Sequence, residues 1–231
     1  MRERILDEEF AKDLAEFQAL AGEMGTPYAT GRWDIEVVSP GGDVIQSESF
    51  HSQSWLRNYV NLLCNFVLSI RLNDSLVSWG DSFVNLRQFD GTIINVDTAQ
   101  HMSTAAAVGI DDSGIVVGSG TTAETLDDYT LATPIVHGRA AGEVYFYAGE
   151  NSADWEIWSW NGTSKRFSTV IWRYFLNDSG GDITIAETGV ASSVGVNQKI
   201  LVVRDVLNST FTVPDLYVLR TKYTVESTVY P

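Results

Sequence analysis

Cysteine and long apolar runs are scarce in this chain. Cys64 is the only cysteine among 231 residues, so no disulfide can form within the chain and stability must come from packing or assembly. The apolar stretch 62–70 is too short, and contains too many polar residues, to span a bilayer. Residues 1–9 lack the apolar core of a signal peptide. These features predict a soluble protein that is made in a reducing cytoplasm and has no membrane partner.

Basic residues are also few. Fifteen Lys and Arg residues stand against 30 Asp and Glu residues, which gives a formal net charge of −15. Lys165 and Arg166 form the only adjacent basic pair. A negative field of this size repels polyanions unless a local basic patch intervenes. We therefore expect no nucleic-acid partner.

The familiar patterns of catalytic and metal-binding residues are missing. His51, His101 and His137 are isolated from each other and from Cys64, so no pair has the spacing of zinc ligands. The G-x-S-x-G turn of serine hydrolases is absent. The acidic doublets at 111–112 and 127–128 lack the alternating spacing of a calcium loop. We therefore expect no metal, no organic cofactor and no enzymatic activity.

The stretch from Gly114 to Ile135 is the most distinctive in the chain. A β-branched run, 115–117, predicts a buried strand, and the glycine-rich segment 118–122 follows it. Such a segment after a strand can cradle a phosphate, but the G-x-x-x-x-G-K-[ST] pattern is absent, so we interpret it as a tight connection. Asp127 or Asp128 is expected to cap one helical turn, and Pro134 to start a new strand at Ile135.

Two helices are predicted. Residues 5–24 form an amphipathic helix, and 1–28 would be a helical arm in front of a β domain at 29–231. Its apolar stripe either docks on its own domain or packs on another subunit, which makes it a candidate assembly interface. That stripe consists of Leu6, Phe10, Leu14, Phe17 and Met24. A second helix, from Trp55 to about Ile70 with Ser54 as its cap, is expected to pack on a sheet.

The rest of the chain predicts strands. Strands 33–38 and 44–50 flank a Pro-Gly-Gly turn, and Asp90-Gly91 and Asn161-Gly162 mark two further hairpins. Other expected strands are 105–110, 115–117, 143–148, 155–160, 166–176, 182–187, 199–206, 210–213 and 216–226. Short strands separated by turn clusters indicate a mainly β fold, an antiparallel β-sandwich with a jelly-roll-like arrangement.

The tryptophans at 158 and 160 support two interpretations. They share one strand face by the period-two rule. If exposed, Trp158 and Trp160 could stack on sugar rings as a glycan-binding face. If buried, they would belong to the core or to a subunit interface, and we favour burial because large aromatic side chains dominate the energetics of both.

Three phrases in the second half of the chain resemble virion structural proteins of tailed bacteriophages. The first is GIVVGSGTTA at 114–123 with LDDYTL at 126–131 and Pro134-Ile135. The second is RYFLNDSG at 173–180 with ITIAETG at 183–189, and the third is LVVRDVL at 201–207 followed by Val213-Pro214. The resemblance covers about residues 109–226. It departs at Asp215-Leu216, where a glycine-containing turn is expected.

The resemblance implies a β-rich assembly module and brings no catalytic residues. We therefore expect a structural component of a bacteriophage virion, made in the host cytoplasm, that binds copies of itself and other virion proteins. Its position on head, neck or tail stays open. The alternative is a glycan-binding adsorption module of a phage tail, and an enzyme ranks last.

Overall fold

The computed structural model describes residues 28–52, 54–59, 83–97, 102–149, 159–160, 165–194 and 198–229. The chain is mainly β, as predicted, and the named strands pair only in antiparallel fashion. The strands are β1 (Tyr28–Val38), β2 (Val44–His51), β3 (Phe83–Arg87), β4 (Ile93–Asp97), β5 (Met102–Ser103), β6 (Gly114–Gly118), β7 (Tyr145–Phe146), β8 (Ser159–Trp160), β9 (Lys165–Leu176), β10 (Ile183–Val194), β11 (Lys199–Val213) and β12 (Val218–Val229).

The larger sheet has six strands within the described residues. Its order is β2-β1-β12-β9-β7, and β8 also pairs with β9. β1 and β12 pair from Tyr28↔Thr228 to Val38↔Val218. The apolar side chains of β1 at 33, 35 and 37 are buried, and the charged side chains at 32, 34 and 36 lie on the opposite face. The predicted alternation of this strand is therefore confirmed, because successive side chains of a strand point to opposite faces.

The second sheet has four strands in the part of the chain that the structure describes. β10 pairs with β11 on one side, and on the other it pairs with β6 and then with β5. β10 is buried along almost its whole length, including the polar residues Glu187 and Thr188. A strand covered on both faces must satisfy every polar group that it carries. The buried polar side chains of β10 must therefore have hydrogen-bond partners within the protein.

Side chains of both sheets share one buried cluster. The six-stranded sheet contributes residues that include Trp33, Ile35, Phe175, Leu219 and Tyr223, and the four-stranded sheet contributes residues that include Ile115, Val117, Ile185, Val190, Val203 and Phe211. A smaller cluster on the other face of β10 and β11 consists of Leu56, Val116, Leu131, Ala191 and Leu201. β10 and β11 therefore have apolar neighbours on both faces.

The predicted helices need correction or lie outside the described residues. The helix at 5–24 lies outside them. The second helix begins at Arg57 and not at Trp55, and its continuation past residue 59 is also outside. Trp55 forms a β-bridge with Val203, and the Leu56 N–H donates to the Val202 carbonyl over 3.0 Å. Pairing with β11 thus holds these residues extended.

Several predicted strand bounds also change. The stretches 199–206 and 210–213 are one strand, β11, and the register slips along its pairing with β10. The stretch 143–148 shortens to Tyr145–Phe146. Residues 105–110 do not form a strand, and neither does the segment from Pro134 onward, where isolated bridges join Pro134 to Gly118 and His137 to Val144. The hairpins at 33–50 and 83–97 are confirmed, as is the pairing of β8 with β9.

Candidate functional site

The glycine-rich segment encloses a carboxylate of the protein itself. We call residues 118–134 the glycine loop. Glu187 Oε1 accepts hydrogen bonds from the N–H groups of Gly120 at 3.1 Å and Thr133 at 2.7 Å, and Oε2 accepts from the Ala132 N–H at 3.0 Å. These N–H groups form a small anion-binding concavity. Its occupant is Glu187, which is fully buried, so the loop binds its own chain where a phosphate loop would bind a nucleotide.

Arg204 provides the positive charge opposite Glu187. Its Nε lies 2.8 Å from Glu187 Oε2, and its Nη1 lies 2.6 Å from Asp128 Oδ2. Its Nη2 donates to the Thr122 carbonyl over 2.7 Å. We call Asp128, Glu187 and Arg204 the buried ion cluster. All the donors of Arg204 named here bind the glycine loop or the carboxylate that the loop encloses.

The electrostatics of this cluster follow from its geometry. Burial alone would raise the pKa of Asp128, but hydrogen bonds from Thr125 and Arg204 and the Arg204 charge hold that pKa below its usual value. Burial alone would lower the pKa of Arg204, and its contacts with Glu187 and Asp128 raise it. Both groups therefore stay charged at neutral pH. The helical turn predicted after Asp127 or Asp128 is not formed, and a turn at 126–127 precedes that position. The Asp128 carboxylate binds Thr125 and Arg204 and does not cap a helix.

The glycines of the loop allow its close approach to Glu187. A Cβ atom added at Gly118 would lie 2.6 Å from Glu187 Oε1, and one at Gly120 would lie 2.4 Å from the same atom. Real Cβ atoms do not approach so closely. Steric space next to the carboxylate therefore requires glycine at these two positions.

Asp205, the residue after Arg204, binds side chains on the opposite face of β11. Asp205 is buried and accepts hydrogen bonds from Trp33 Nε1 at 2.8 Å, Ser52 Oγ at 2.6 Å and Ser54 Oγ at 3.0 Å. Adjacent strand residues point to opposite faces. The Arg204-Asp205 dipeptide therefore fastens the glycine loop on one face and β1 of the six-stranded sheet on the other.

Arg173 organises a second irregular segment. The segment 105–113 leads into β6, and Arg173, in β9, is fully buried. Its guanidinium donates to five backbone carbonyls, those of Ala107, Ile110, Ser113, Ile115 and Tyr147. It also lies over the Phe146 ring, 4.8 Å from the centroid. Burial lowers the pKa of Arg173 to about 10, and the nearby Asp111 and Asp112 charges oppose that shift.

The solvent-facing side of the six-stranded sheet forms a groove of about 410 Å³. We call it the outer groove. Two cross-strand rows line it: Ser47, Glu36, Arg220 and Tyr174, and then Ser49, Asp34, Lys222 and Trp172. Each row reads hydroxyl, carboxylate, cation and aromatic ring from β2 to β9.

The charges of the two rows are paired within each row, and Glu48, which also lines the groove, accepts a hydrogen bond from Ser209. Lys222 Nζ lies 3.6 Å from Asp34 Oδ2, and Arg220 Nη1 lies 3.7 Å from Glu36 Oε2. Asp34 also accepts from Ser49 Oγ at 2.6 Å and from Arg32 Nη2 at 2.9 Å. Burial alone would raise the pKa of Asp34, but these hydrogen bonds and the Arg32 and Lys222 charges lower it. The groove therefore offers hydrogen-bonding groups without a large net charge.

Most site residues named from the sequence lie where the structure gives no side chain. Trp158 and the proposed interface residues Leu6, Phe10, Leu14, Phe17 and Met24 are outside the described residues, and of Trp160 only its place in β8 is described. His137 Nδ1 accepts from the Phe146 N–H at 3.0 Å. Across the described ranges no three His, Cys, Asp or Glu side chains are grouped as metal ligands would be. The same ranges contain no helix of the length and apolarity needed to cross a membrane.

Sequence reasoning gave no role to Glu187, Arg204, Asp205 or Arg173. A usable signal exists for Arg173, since it has the parity of the buried residues Ile171 and Phe175 in β9. An arginine at an inward position of a strand requires internal acceptors. For Glu187 and Arg204, the local sequence gives no indication of the partner, because the glycine loop lies 54 to 82 residues away.

Comparison of the chain with protein-family models, with curated proteins and with solved structures gave no match.

Proposed function

We propose that this protein is a structural component of a bacteriophage virion that works through protein–protein contacts. The observation that carries the proposal is the convergence of the three virion-like phrases on one buried network. Glu187 of the second phrase is enclosed by the loop of the first, and Arg204 of the third binds both. The residues that carry the resemblance are thus the residues that build the fold.

The charged side chains of the buried ion cluster, and Arg173, bind other parts of the same chain. Glu187 binds three backbone N–H groups and one guanidinium, and Arg173 binds five backbone carbonyls. Charge-assisted hydrogen bonds of this kind fix the position of irregular backbone. Fixed loops on a sheet framework suit a building block that must present the same surface in every copy. Loops fixed in this way favour an assembly module over an enzyme.

We also propose how the two sheets are arranged. Two antiparallel sheets share a buried cluster, and the chain passes from one sheet to the other at residues 177–182 and 214–217. We assign this arrangement to the β-sandwich class, with the jelly roll as its expected variant. In that assignment residues 1–27 remain a helical arm, one residue shorter than the sequence predicted, because Tyr28 begins β1.

An exposed apolar patch offers a contact surface for a second copy of the chain. Val108, Ile110, Val136 and Tyr147 are between 39% and 51% exposed. Their segments are neighbours, because the Gly109 N–H donates to the Phe146 carbonyl and the Val144 N–H to the Val136 carbonyl. A cluster of exposed apolar side chains marks an interaction site more often than scattered ones do. The helix stripe at 5–24 remains the second predicted contact.

Light scattering of the purified protein tests the assembly proposal. We expect the full-length protein to form a homo-oligomer, and the variant lacking residues 1–27 to be monomeric with the circular dichroism of a folded β domain. A Phe17→Asp variant should dissociate the oligomer and leave the melting temperature of the isolated domain nearly unchanged. The double variant Val108→Asp/Val136→Asp should also weaken assembly. Ile93→Asp, which changes an exposed side chain in a different hairpin, is the matched control.

Two results would count against the assembly proposal. One is a full-length protein that stays monomeric both alone and with the other proteins of its particle. The other is unfolding of the β domain on removal of residues 1–27, because the helix would then belong to the core of its own domain.

A further inference from the structure

We propose that the outer groove binds a neutral oligosaccharide. This inference is independent of the virion role and would hold for the protein in any assembly. It rests on the two parallel rows that cross β2, β1, β12 and β9. Each row ends in an aromatic ring on β9, Tyr174 or Trp172, and begins with a serine hydroxyl on β2.

The aromatic end of the rows provides a stacking surface. Trp172 is half-buried and Tyr174 is 38% exposed, so both rings remain accessible from the groove. They are two residues apart on one strand and therefore about 6.6 Å apart along it. The negative face of an aromatic ring attracts the weakly positive C–H groups of a sugar ring. Two such rings in line suit a chain of sugars better than a single small molecule.

The centre of the rows provides directional hydrogen bonds. The carboxylates of Asp34 and Glu36 are acceptors for sugar hydroxyls, and Lys222 and Arg220 are donors to them. Each cation already faces a carboxylate at 3.6 or 3.7 Å, so these pairs restrict the side chains before a ligand arrives. This restriction lowers the side-chain entropy that binding would cost.

Charge decides between ligand classes. A groove that binds single-stranded nucleic acid combines aromatic rings with unpaired positive charge along the backbone path. Here the cations are paired with carboxylates, and the whole chain carries a net charge of −15. Both features disfavour nucleic acids and sulfated or uronic acid-rich polysaccharides. A neutral polyhydroxylated ligand meets no such penalty.

The groove is a different surface from the Trp158 and Trp160 face considered from the sequence, which stays an untested alternative. Trp158 and Trp160 share a strand face, whereas Trp172 has acidic and basic neighbours that only the pairing of distant strands reveals. Lys222 and Asp34 lie 50 and 138 positions from Trp172 in the sequence. The pairing of β1, β12 and β9 brings these three residues together.

Titration with defined sugars tests the proposal. The probes are maltohexaose, cellohexaose and a linear mannohexaose. Their binding to the full-length protein is measured by tryptophan fluorescence and by calorimetry. We expect saturable binding of at least one neutral probe at micromolar to millimolar concentration. Trp172→Ala and Tyr174→Ala should each weaken it at least tenfold. Ile93→Ala changes an exposed side chain in the β3–β4 hairpin, outside the groove, and should leave sugar binding unchanged.

Two further measurements keep the outcome clear. Glu36→Gln retains the shape of the side chain but removes its charge, and we expect it to weaken binding with an unchanged melting temperature. Dextran sulfate is the anionic probe and should not bind at physiological ionic strength. The proposal is overturned if no neutral probe binds, if only dextran sulfate binds, or if Trp172→Ala and Tyr174→Ala variants that melt like the parent bind the sugar equally well.

Discussion

Glu187 Oε2 and Arg204 Nε form a hydrogen bond of 2.8 Å, and neither side chain is more than 2% exposed. This contact joins β10 to β11 and, through the N–H groups that also bind Glu187, joins both strands to the glycine loop. A buried ion pair need not stabilise a fold more than apolar side chains of the same shape would. Removing one partner is costly, however, because the other charge is left buried and uncompensated.

Glu187→Gln is therefore expected to destabilise the protein by about 3–5 kcal/mol. The amide keeps one acceptor oxygen but presents N–H donors to Arg204 and the loop. Urea unfolding followed by circular dichroism measures the change. Asp127→Asn is the control, since Asp127 pairs with Arg57 on the surface and both side chains are more than half exposed. Its effect should stay below about 1 kcal/mol. Equal effects of the two substitutions would contradict the role given to the buried pair.

The pH dependence of stability should contain a contribution from Asp128. The folded-state pKa of Asp128 is lowered, so the folded protein binds a proton at this group less readily than the unfolded chain does. The stabilisation is fully present above the unfolded-state pKa, about 3.9, and is lost as pH falls through the lower folded-state pKa. Unfolding free energies of the parent and Asp128→Asn should differ at pH 7, and the difference should shrink as pH falls below the unfolded-state pKa of about 3.9. A difference that does not change with pH would argue against this assignment.

Gly120→Ala tests the steric fit of the glycine loop. The added methyl group would lie 2.4 Å from Glu187 Oε1 and 2.8 Å from the Ala132 Cβ, so the loop must shift. We expect a loss of about 1–3 kcal/mol, the usual range for overpacking. Gly181→Ala adds the same group where no atom lies within 4 Å and should change stability by less than about 0.5 kcal/mol. Thermal melts of both variants under identical conditions provide the comparison.

Leu216 stands in a backbone conformation that favours glycine. Its φ is 66°, and the Tyr217 N–H donates to the Pro214 carbonyl over 3.1 Å, which closes a four-residue turn. A turn with positive φ at its third residue normally has glycine there, and the virion-like pattern also predicts glycine at this point. Positive φ costs a leucine about 1–2 kcal/mol, while glycine adds about 0.5–1 kcal/mol of unfolded-state entropy.

Leu216→Gly should therefore raise the stability by about 0.5–1 kcal/mol. The side chain is 55% exposed, so little packing is lost. The measurement is the urea midpoint at unchanged slope. A clear drop in the midpoint would mean that the Leu216 side chain makes a contact worth more than the backbone strain.

Local chemistry decided how much of the fold was predictable. The hairpins at 39–43 and 90–91 follow from turn residues close to the strands that they join, and the glycine at 91 has the expected positive φ of 83°. The start of the helix near 55 was misplaced because Trp55 and Leu56 pair with β11, about 147 residues away. Tertiary hydrogen bonds overrode a valid local signal there.

The glycine loop and the outer groove were also predictable only where local residues determine the structure. The glycine loop was correctly interpreted as a connection, but its partner Glu187 has no marker in the local sequence. The outer groove needs four strands in register, and β9, β12 and β1 come from opposite ends of the chain. Hydrophobic periodicity predicts which face of a strand is buried, but it does not indicate which distant strands become neighbours.

The virion role is tested most directly by locating the protein on particles. An antibody raised against the purified protein, coupled to gold, is applied to virions purified from the infected host, and labelled particles are viewed by electron microscopy. The control is the same antibody after adsorption with the purified protein, which should leave particles unlabelled. We expect gold at one repeated position on intact particles, and recovery of the protein from them in stoichiometric amounts by mass spectrometry. Unlabelled particles, with the protein found only in the soluble lysate, would contradict the proposal.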